Sequence, residues 1–123
     1  MESLSPNIYV NDVSGTMQFY NKLGFKSIAT VPEDAEDPIW AMMQNGNVTI
    51  MFESMKNIEG RLPEISRQNG GSLLLYIKVK DINALFEAVK DHVTVLEGLH
   101  KTFYGATEFV IQDCNGYVLT FAD

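Results

Sequence analysis

The sequence predicts an α+β fold in which two tandem βαβββ modules form a curved mixed sheet around a ligand cleft. Asp12 and Asp81, sixty-nine positions apart, each stand between a strand-like stretch and a helix-like stretch. Farther along each half comes an Asn-Gly pair, Asn45-Gly46 and Asn115-Gly116, which is the strongest short-range signal for a β-hairpin. The order of strand, helix and three strands is therefore written twice along the chain.

The first module covers about residues 4–54. Residues 4–10 are rich in β-forming types and have a proline near their start, where a missing N–H costs least. Asp12 is placed to cap a helix, because its carboxylate can accept hydrogen bonds from the first free amides. One apolar helical face follows, formed by Val13, Met17, Tyr20 and Leu23. Residues 25–31 form the next strand, and the first hairpin supplies the last two.

The second module covers about residues 72–123 and follows a connector at about residues 55–71. Its first strand is predicted at residues 72–79, and Asp81 caps its helix. The apolar stripe of that helix consists of Ile82, Leu85, Phe86, Val89 and Val93. A strand at residues 93–99 and the second hairpin complete the module.

The doubling of the module has a physical reason. A single helix covers only one face of a four-stranded sheet and leaves the other face open. Two such modules placed together enclose a cleft between their open faces, and small molecules bind in concave clefts of this kind. We therefore predict a single domain whose 123 residues surround a binding cleft.

Composition and charge exclude several classes of function. Sixteen Asp and Glu against nine Lys and Arg give a net charge of −7, which disfavours nucleic acids and anionic membranes as partners. No apolar run approaches the ~20 residues of a transmembrane helix. The first ten residues lack the basic and apolar regions of a secretory signal, and the single Cys114 cannot form an internal disulfide. We expect a cytoplasmic protein without nucleic-acid or membrane partners.

The two ends of the chain resemble the vicinal oxygen chelate superfamily. The resemblance rests on the segments NIYVNDVSGTMQFYNKLGFK and GATEFVIQDCNGYVLTFAD, and it extends from about Leu4 to Phe121. This superfamily includes glyoxalase I, extradiol dioxygenases, fosfomycin-resistance enzymes and bleomycin-resistance proteins. The resemblance implies the same tandem βαβββ fold and a homodimer, whereas the reaction differs among the members.

Members that are enzymes usually bind a divalent metal through His, Gln or Glu on the first and last strands of each module. The resemblance places these four positions at Ser5, Ile50, Leu74 and Thr120. Apolar side chains cannot bind a metal, and hydroxyl groups bind zinc, nickel or iron poorly. The sequence therefore predicts no metal and no cofactor. It is similar to the metal-free bleomycin-resistance branch, which often has a proline where Pro6 stands here.

The candidate ligand contacts are residues expected to share a sheet face with those positions, together with one tryptophan and an aromatic residue that the resemblance places at the cleft rim. They are Asn7, Tyr9, Trp40, Ile50, Phe52, Tyr76, Tyr104, Glu108 and Thr120. Trp40 either stacks on a planar ligand or packs beneath the first helix. Glu108 is either a cleft carboxylate, serving as a base or as the partner of a cation, or a strand-edge residue that pairs with Lys101 or with solvent. His92 and His100 are expected at a helix end and in a loop, away from the cleft.

These observations favour a metal-free binding protein that holds a mid-sized aromatic ligand. The acidic balance is compatible with a positive charge on that ligand. The alternative is a glyoxalase-like, metal-dependent lyase or isomerase with Glu108 as its base. A third interpretation is a chain whose role is to associate with another protein. We expect a homodimer under all three.

Overall fold

The computed structural model describes all residues, 1–123, and divides into two compact units at residues 1–67 and 68–123. Each unit has the order strand, helix, strand, strand, strand, and each contains one four-stranded mixed sheet. The predicted α+β class and the tandem βαβββ modules are confirmed. Neither helix has the length and apolar character that crossing a membrane requires.

The first unit contains one helix and four strands, followed by a short 3-10 helix. Its elements are β1 (Asn7–Val10), α1 (Val13–Lys22), β2 (Lys26–Val31), β3 (Trp40–Asn45), β4 (Val48–Ser54) and the 3-10 helix Met55–Ile58. The strand order is β1-β4-β3-β2, with β1 parallel to β4 and the other pairs antiparallel. Because β1 begins at Asn7, Ser5 precedes the sheet.

Both ends of α1 are fixed by polar side chains. The Asp12 carboxylate accepts a hydrogen bond from the backbone N–H of Gly15 at 2.9 Å, so the predicted N-cap is present. At the other end, Asn45 Nδ2 donates to the carbonyl oxygen of Leu23 at 3.2 Å. Gly24 follows with φ +89°, a left-handed conformation that glycine adopts without strain. The residue that begins the first hairpin turn therefore also satisfies the end of the helix.

Helix α1 packs on one face of the first sheet. Tyr20 is fully buried there, and its ring centroid lies 4.7 Å from that of Phe52 and 5.6 Å from that of Phe25. Five further sheet residues on this face are also buried, and they are Ile8, Val10, Ala41, Met43 and Ile50. We call this the core face of the first sheet, and the opposite face its open face.

The second unit has the same arrangement. Its elements are β5 (Leu74–Lys78), α2 (Ile82–Val89), β6 (Thr94–Lys101), β7 (Thr107–Gln112) and β8 (Val118–Ala122), in the strand order β5-β8-β7-β6. Asp81 caps α2 by accepting from the backbone N–H of Ala84 at 3.1 Å. Phe109 lies between Phe86 of the helix and Phe121 of β8, with centroid distances of 5.1 and 5.0 Å.

Two boundaries in this unit differ from the prediction. Helix α2 ends at Val89, so Val93 lies beyond the helix although it fits the apolar stripe. Strand β6 runs to Lys101 and takes in His100, which was expected in a loop. The β6 ladder is irregular, with register shifts on both sides of Glu97, and these shifts hide the alternation that would have marked the strand in the sequence.

Candidate functional site

The face of the second sheet opposite α2 carries a cluster of polar side chains. Strand residues alternate between faces, so Glu108, Val110 and Gln112 lie opposite the buried Phe109 and Ile111. In the ladder, Val110 pairs with Thr120, and Thr120 pairs with Tyr76. We call this the open face of the second sheet. It brings together Tyr76, Glu108 and Thr120, as alternation along β5, β7 and β8 predicts.

The carboxylate of Glu108 is the centre of this face. Tyr76 Oη donates a hydrogen bond to Glu108 Oε1 at 2.7 Å, and Tyr104 Oη donates a short one to the same oxygen. Glu108 is only 6% exposed, whereas Tyr76 is 49% exposed and Tyr104 is 57% exposed. The carboxylate thus lies beneath two tyrosine rings that reach solvent, and its second oxygen, Oε2, is left without a protein donor.

Tyr104 reaches Glu108 because the turn between β6 and β7 folds back on itself. Thr102 and Ala106 bond to each other across the turn, with the Thr102 N–H 2.9 Å from the Ala106 carbonyl oxygen. Phe103, beside Tyr104, is fully exposed, and the two rings meet edge to face at 5.0 Å. The hydroxyl of Tyr104, which was predicted at the cleft rim, therefore contacts the carboxylate, while its ring faces solvent.

Hydrogen bonding sets the charge of this cluster. The hydroxyls of Tyr104 and Tyr76 stabilise the ionised carboxylate and lower the pKa of Glu108, against the opposing effect of burial. The hydrogen bond to Glu108 also raises the pKa of Tyr76 to about 12, and it raises the pKa of Tyr104. At neutral pH the cluster therefore consists of one anion and two neutral hydroxyl donors.

His100 belongs to this face, although the sequence placed it in a loop away from the cleft. It pairs directly with Glu108 across β6 and β7, and its positive charge, when protonated, further lowers the Glu108 pKa. Its Nδ1 lies 2.8 Å from the carbonyl oxygen of Gly98. The alternative pairing of Glu108 with Lys101 is wrong, because Lys101 pairs with Thr107 on the opposite face. His92 lies just beyond the end of α2, as predicted.

The open face of the first sheet carries a second carboxylate. Glu53 lies in one cross-strand row with Tyr9 and Trp40, and Asn7 lies in the adjacent row with Met51. Trp40 is therefore on the face opposite α1, so the interpretation in which it packs beneath the first helix is wrong. Asn7, Tyr9 and Trp40 share this face.

Glu53, which sequence reasoning missed, is held by two amides. Asn7 Nδ2 donates to Oε2 and Asn57 Nδ2 donates to Oε1, each at 2.7 Å. Burial and the nearby Glu53 charge raise the pKa of Tyr9, while the charges of Arg61 and Arg67 act in the opposite direction. The oxygen of the Asn7 side chain, Oδ1, is buried and has no hydrogen-bond partner.

Two predicted ligand contacts are wrong, because Ile50 and Phe52 lie on the core face of the first sheet. Ile50 pairs with the buried Met43, and Phe52 is 0% exposed against Tyr20. Equal spacing from the turn glycines, Gly46 and Gly116, predicts that Ile50 is the counterpart of Thr120. The register instead equates Thr120 with Met51, since Met51 pairs with Asn7 as Thr120 pairs with Tyr76. A one-residue offset moves a side chain to the other face.

The residues at the expected metal positions do not fit a divalent metal. With the register corrected, these positions are Ser5, Met51, Leu74 and Thr120, a set of two hydroxyls, a thioether and an alkyl group. Zinc, nickel and iron sites use imidazole, thiolate and carboxylate ligands, none of which is in this set. No group of three or more His, Cys, Asp or Glu side chains converges anywhere in the chain.

Surface concavities also occur away from the two carboxylates. A groove of about 500 Å³ lies beside β2 and is lined by Met17, residues 27–30 and residues 33–35. Its lining includes the acidic side chains of Glu33 and Asp34, which lie in the loop between β2 and β3. None of the predicted ligand contacts lines this groove.

A family comparison covers nearly the whole chain. Residues 4–121 match the sequence model of the Glyoxalase/Bleomycin resistance protein/Dioxygenase superfamily. Among curated proteins, none matches the sequence of this chain.

Solved structures share the fold at low sequence identity. TioX from Micromonospora sp. ML1 has a TM-score of 0.78 at 14% identity, covering 99% of this chain and 98% of that one. A glyoxalase/bleomycin resistance protein/dioxygenase family enzyme from Burkholderia phytofirmans PsJN has a TM-score of 0.76 at 23% identity, covering 96% and 94%. A bleomycin resistance determinant encoded on the transposon Tn5 has a TM-score of 0.66 at 19% identity, covering 100% and 98%. At these identities the likeness concerns the fold alone.

Proposed function

Since the chain belongs to the Glyoxalase/Bleomycin resistance protein/Dioxygenase superfamily, we propose that it is a metal-free small-molecule binding protein of the bleomycin-resistance type. Its ligand is a mid-sized aromatic compound with a positive charge. The observation that carries this proposal is the buried, ionised carboxylate of Glu108 beneath two exposed tyrosine rings.

The geometry around Glu108 suits an aromatic cation. Both tyrosine hydroxyls donate to Oε1, so Oε2 can accept a hydrogen bond from a ligand. An ion pair beneath aromatic rings is partly shielded from water, which strengthens it relative to a surface pair. The exposed faces of Tyr76 and Tyr104 offer stacking and cation–π contacts to a planar or cationic group. Phe103 beside them extends the apolar surface.

The same observations disfavour the glyoxalase-like lyase with Glu108 as base. A general base works best when its pKa lies near the working pH, and the two hydroxyls lower the pKa of Glu108 instead. The metal that such a reaction uses also lacks suitable ligands at the expected positions. Turnover of a hemithioacetal that disappears in Glu108→Gln would restore this alternative.

Calorimetric titration tests the proposal with a charged and a neutral ligand of the same shape. Benzamidine and benzamide form such a pair, followed by larger aromatic cations and their neutral isosteres. We expect the cations to bind more tightly, and we expect Glu108→Gln to weaken them by about tenfold or more, because a charge-assisted hydrogen bond is lost. Glu64→Gln, which removes a carboxylate from an exposed position, is the matched control and should leave binding unchanged. If no aromatic cation binds, or if Glu108→Gln binds as well as the wild type, the proposal is wrong.

Two further parts of the proposal concern assembly and contacts. We expect a homodimer, which sedimentation velocity would detect as a species of twice the chain mass. Thr120, buried at 4% exposure next to Tyr76 in the ladder, is proposed as a further contact of the same ligand.

A further inference from the structure

The open face of the first sheet contains a polar cluster that the Glu108 site does not use. Glu53 is on β4, an interior strand, with Tyr9 and Trp40 as its direct cross-strand neighbours. Both carboxylate oxygens accept hydrogen bonds from side-chain amides, from Asn7 and from Asn57. These bonds fix the orientation of the carboxylate on the sheet.

The Asn7 side chain is only half satisfied in this cluster. Its Nδ2 donates to Glu53, and this fixes the amide so that Oδ1 is the other polar end. Oδ1 is buried and has no donor, and it is the only buried side-chain nitrogen or oxygen of the chain in that condition. Buried acceptors without a donor are uncommon in native proteins. An N–H group from a bound molecule would satisfy Oδ1.

We propose that Asn7, Glu53 and Trp40 form a second binding site, which recognises an organic cation that carries N–H donors, such as a primary ammonium group. Glu53 supplies the negative charge, Asn7 Oδ1 accepts one N–H, and the indole of Trp40 contacts the organic part. Arg61 and Arg67 place two positive charges in electrostatic range of Tyr9. This inference rests on the proposed function only in assuming that the open faces bind small molecules.

Three probes of similar size separate the parts of this recognition. Benzylammonium has the charge and the N–H donors, benzyltrimethylammonium has the charge alone, and benzyl alcohol has neither the charge nor an N–H group. Binding is followed by the emission of Trp40, which is the only tryptophan, and by the NMR signals of the Asn7 side-chain amide and the Trp40 indole N–H. We expect benzylammonium to bind about tenfold or more tightly than either of the others.

Variants then assign the effect to this site. Glu53→Gln keeps the shape of the side chain and should weaken benzylammonium by about tenfold or more. Asn7→Leu removes the unpaired acceptor, so the affinity for benzylammonium should fall close to the affinity for benzyltrimethylammonium. In Glu108→Gln, the Asn7 and Trp40 signals should respond to benzylammonium as they do in the wild-type protein.

Each outcome has a definite meaning. The inference would be overturned if the Asn7 and Trp40 signals showed no saturable change with benzylammonium up to about 20 mM. This concentration detects even very weak binding. Equal binding of benzyltrimethylammonium would overturn the donor role of the ligand, and equal binding of benzyl alcohol would overturn the role of Glu53. Binding that Glu108→Gln abolishes and Glu53→Gln leaves intact would overturn this site while supporting the proposed function.

Discussion

Replacing Phe52 by alanine tests which face of β4 belongs to the core. Phe52 is 0% exposed, and its ring centroid lies 4.7 Å from that of Tyr20 on α1. A buried aromatic side chain hides about 150–250 Å², which corresponds to about 4–6 kcal/mol at about 25 cal/mol per Å². Core Phe→Ala substitutions cost about 3–5 kcal/mol. We expect the free energy of unfolding of Phe52→Ala to fall by about 3–5 kcal/mol.

Phe103 provides a control with the same chemistry and the opposite environment. Its side chain is fully exposed in the turn between β6 and β7. We expect Phe103→Ala to change the free energy of unfolding by no more than about 0.5 kcal/mol, as surface substitutions usually do. Both variants are measured by urea unfolding monitored by far-ultraviolet circular dichroism, with linear extrapolation to water.

A loss below about 1 kcal/mol for Phe52→Ala would place this residue outside the core, and the assignment of Glu53 to the open face would fail with it. If Phe52→Ala does not fold, Phe52→Leu replaces it. That variant keeps most of the side-chain volume and should cost less than about 1.5 kcal/mol while remaining more harmful than Phe103→Ala.

Three further predictions concern polar groups. In a carbon-13 NMR titration Glu108 should titrate below the ordinary value for a glutamate, and its pKa should rise in Tyr104→Phe. Because its folded-state pKa is lowered, the stability it contributes is complete above the unfolded-state pKa and lost as the pH falls through the folded-state value. The pKa of Tyr76 should be about 12, so an ultraviolet titration that ionises it near 10.0, the ordinary pKa of a tyrosine, would contradict the hydrogen bond to Glu108. Asp113→Ala should lower the free energy of unfolding by about 1–3 kcal/mol in urea unfolding, since it leaves buried backbone amides unpaired. Asp113 Oδ1 accepts hydrogen bonds from the N–H groups of Asn115 and Tyr117 at 2.8 Å. A fall in the free energy of unfolding of only a few tenths of a kcal/mol would refute this account.

The element order could be predicted because local signals agree with the tertiary structure in both halves. Asp12 and Asp81 cap their helices through their own carboxylates, which depends only on residues within a few positions. Both Asn-Gly pairs lie at the turns between antiparallel strands. Local chemistry of this kind can be recognised in the sequence without knowing what packs against each element.

The Glu108 cluster could be predicted only in part. Alternation along the strands places Tyr76 and Glu108 on one face, and this requires no more than the strand boundaries. The convergence of Tyr76 and Tyr104 on the same oxygen depends on how the 102–106 turn folds, and the sequence carries no signal for that shape. His100 was missed because the register shifts in β6 interrupt the pattern that would have marked it as a strand residue.

The faces of β4 could not be assigned from the sequence, because Ile50, Met51 and Phe52 are three apolar residues in a row. Alternation then gives no preference, and the assignment depends on counting from the hairpin. The two hairpins differ in this respect. Val48, paired with Asn45, lies on a core-face row, whereas Val118, paired with Gln112, lies on an open-face row.

That one-residue difference has two consequences, and both concern the site. It moves Ile50 and Phe52 from the open face into the core, where Phe52 packs against Tyr20. It also moves Glu53 onto the open face, between Tyr9 and Trp40. The offset in β4 therefore adds two apolar residues, Ile50 and Phe52, to the predicted site. It also leaves out Glu53, the one carboxylate of the first unit that lies beside predicted contacts. When only a turn sets the register of an apolar strand, a one-residue offset moves the polar residue at its end to the other face, so either face is open to that residue.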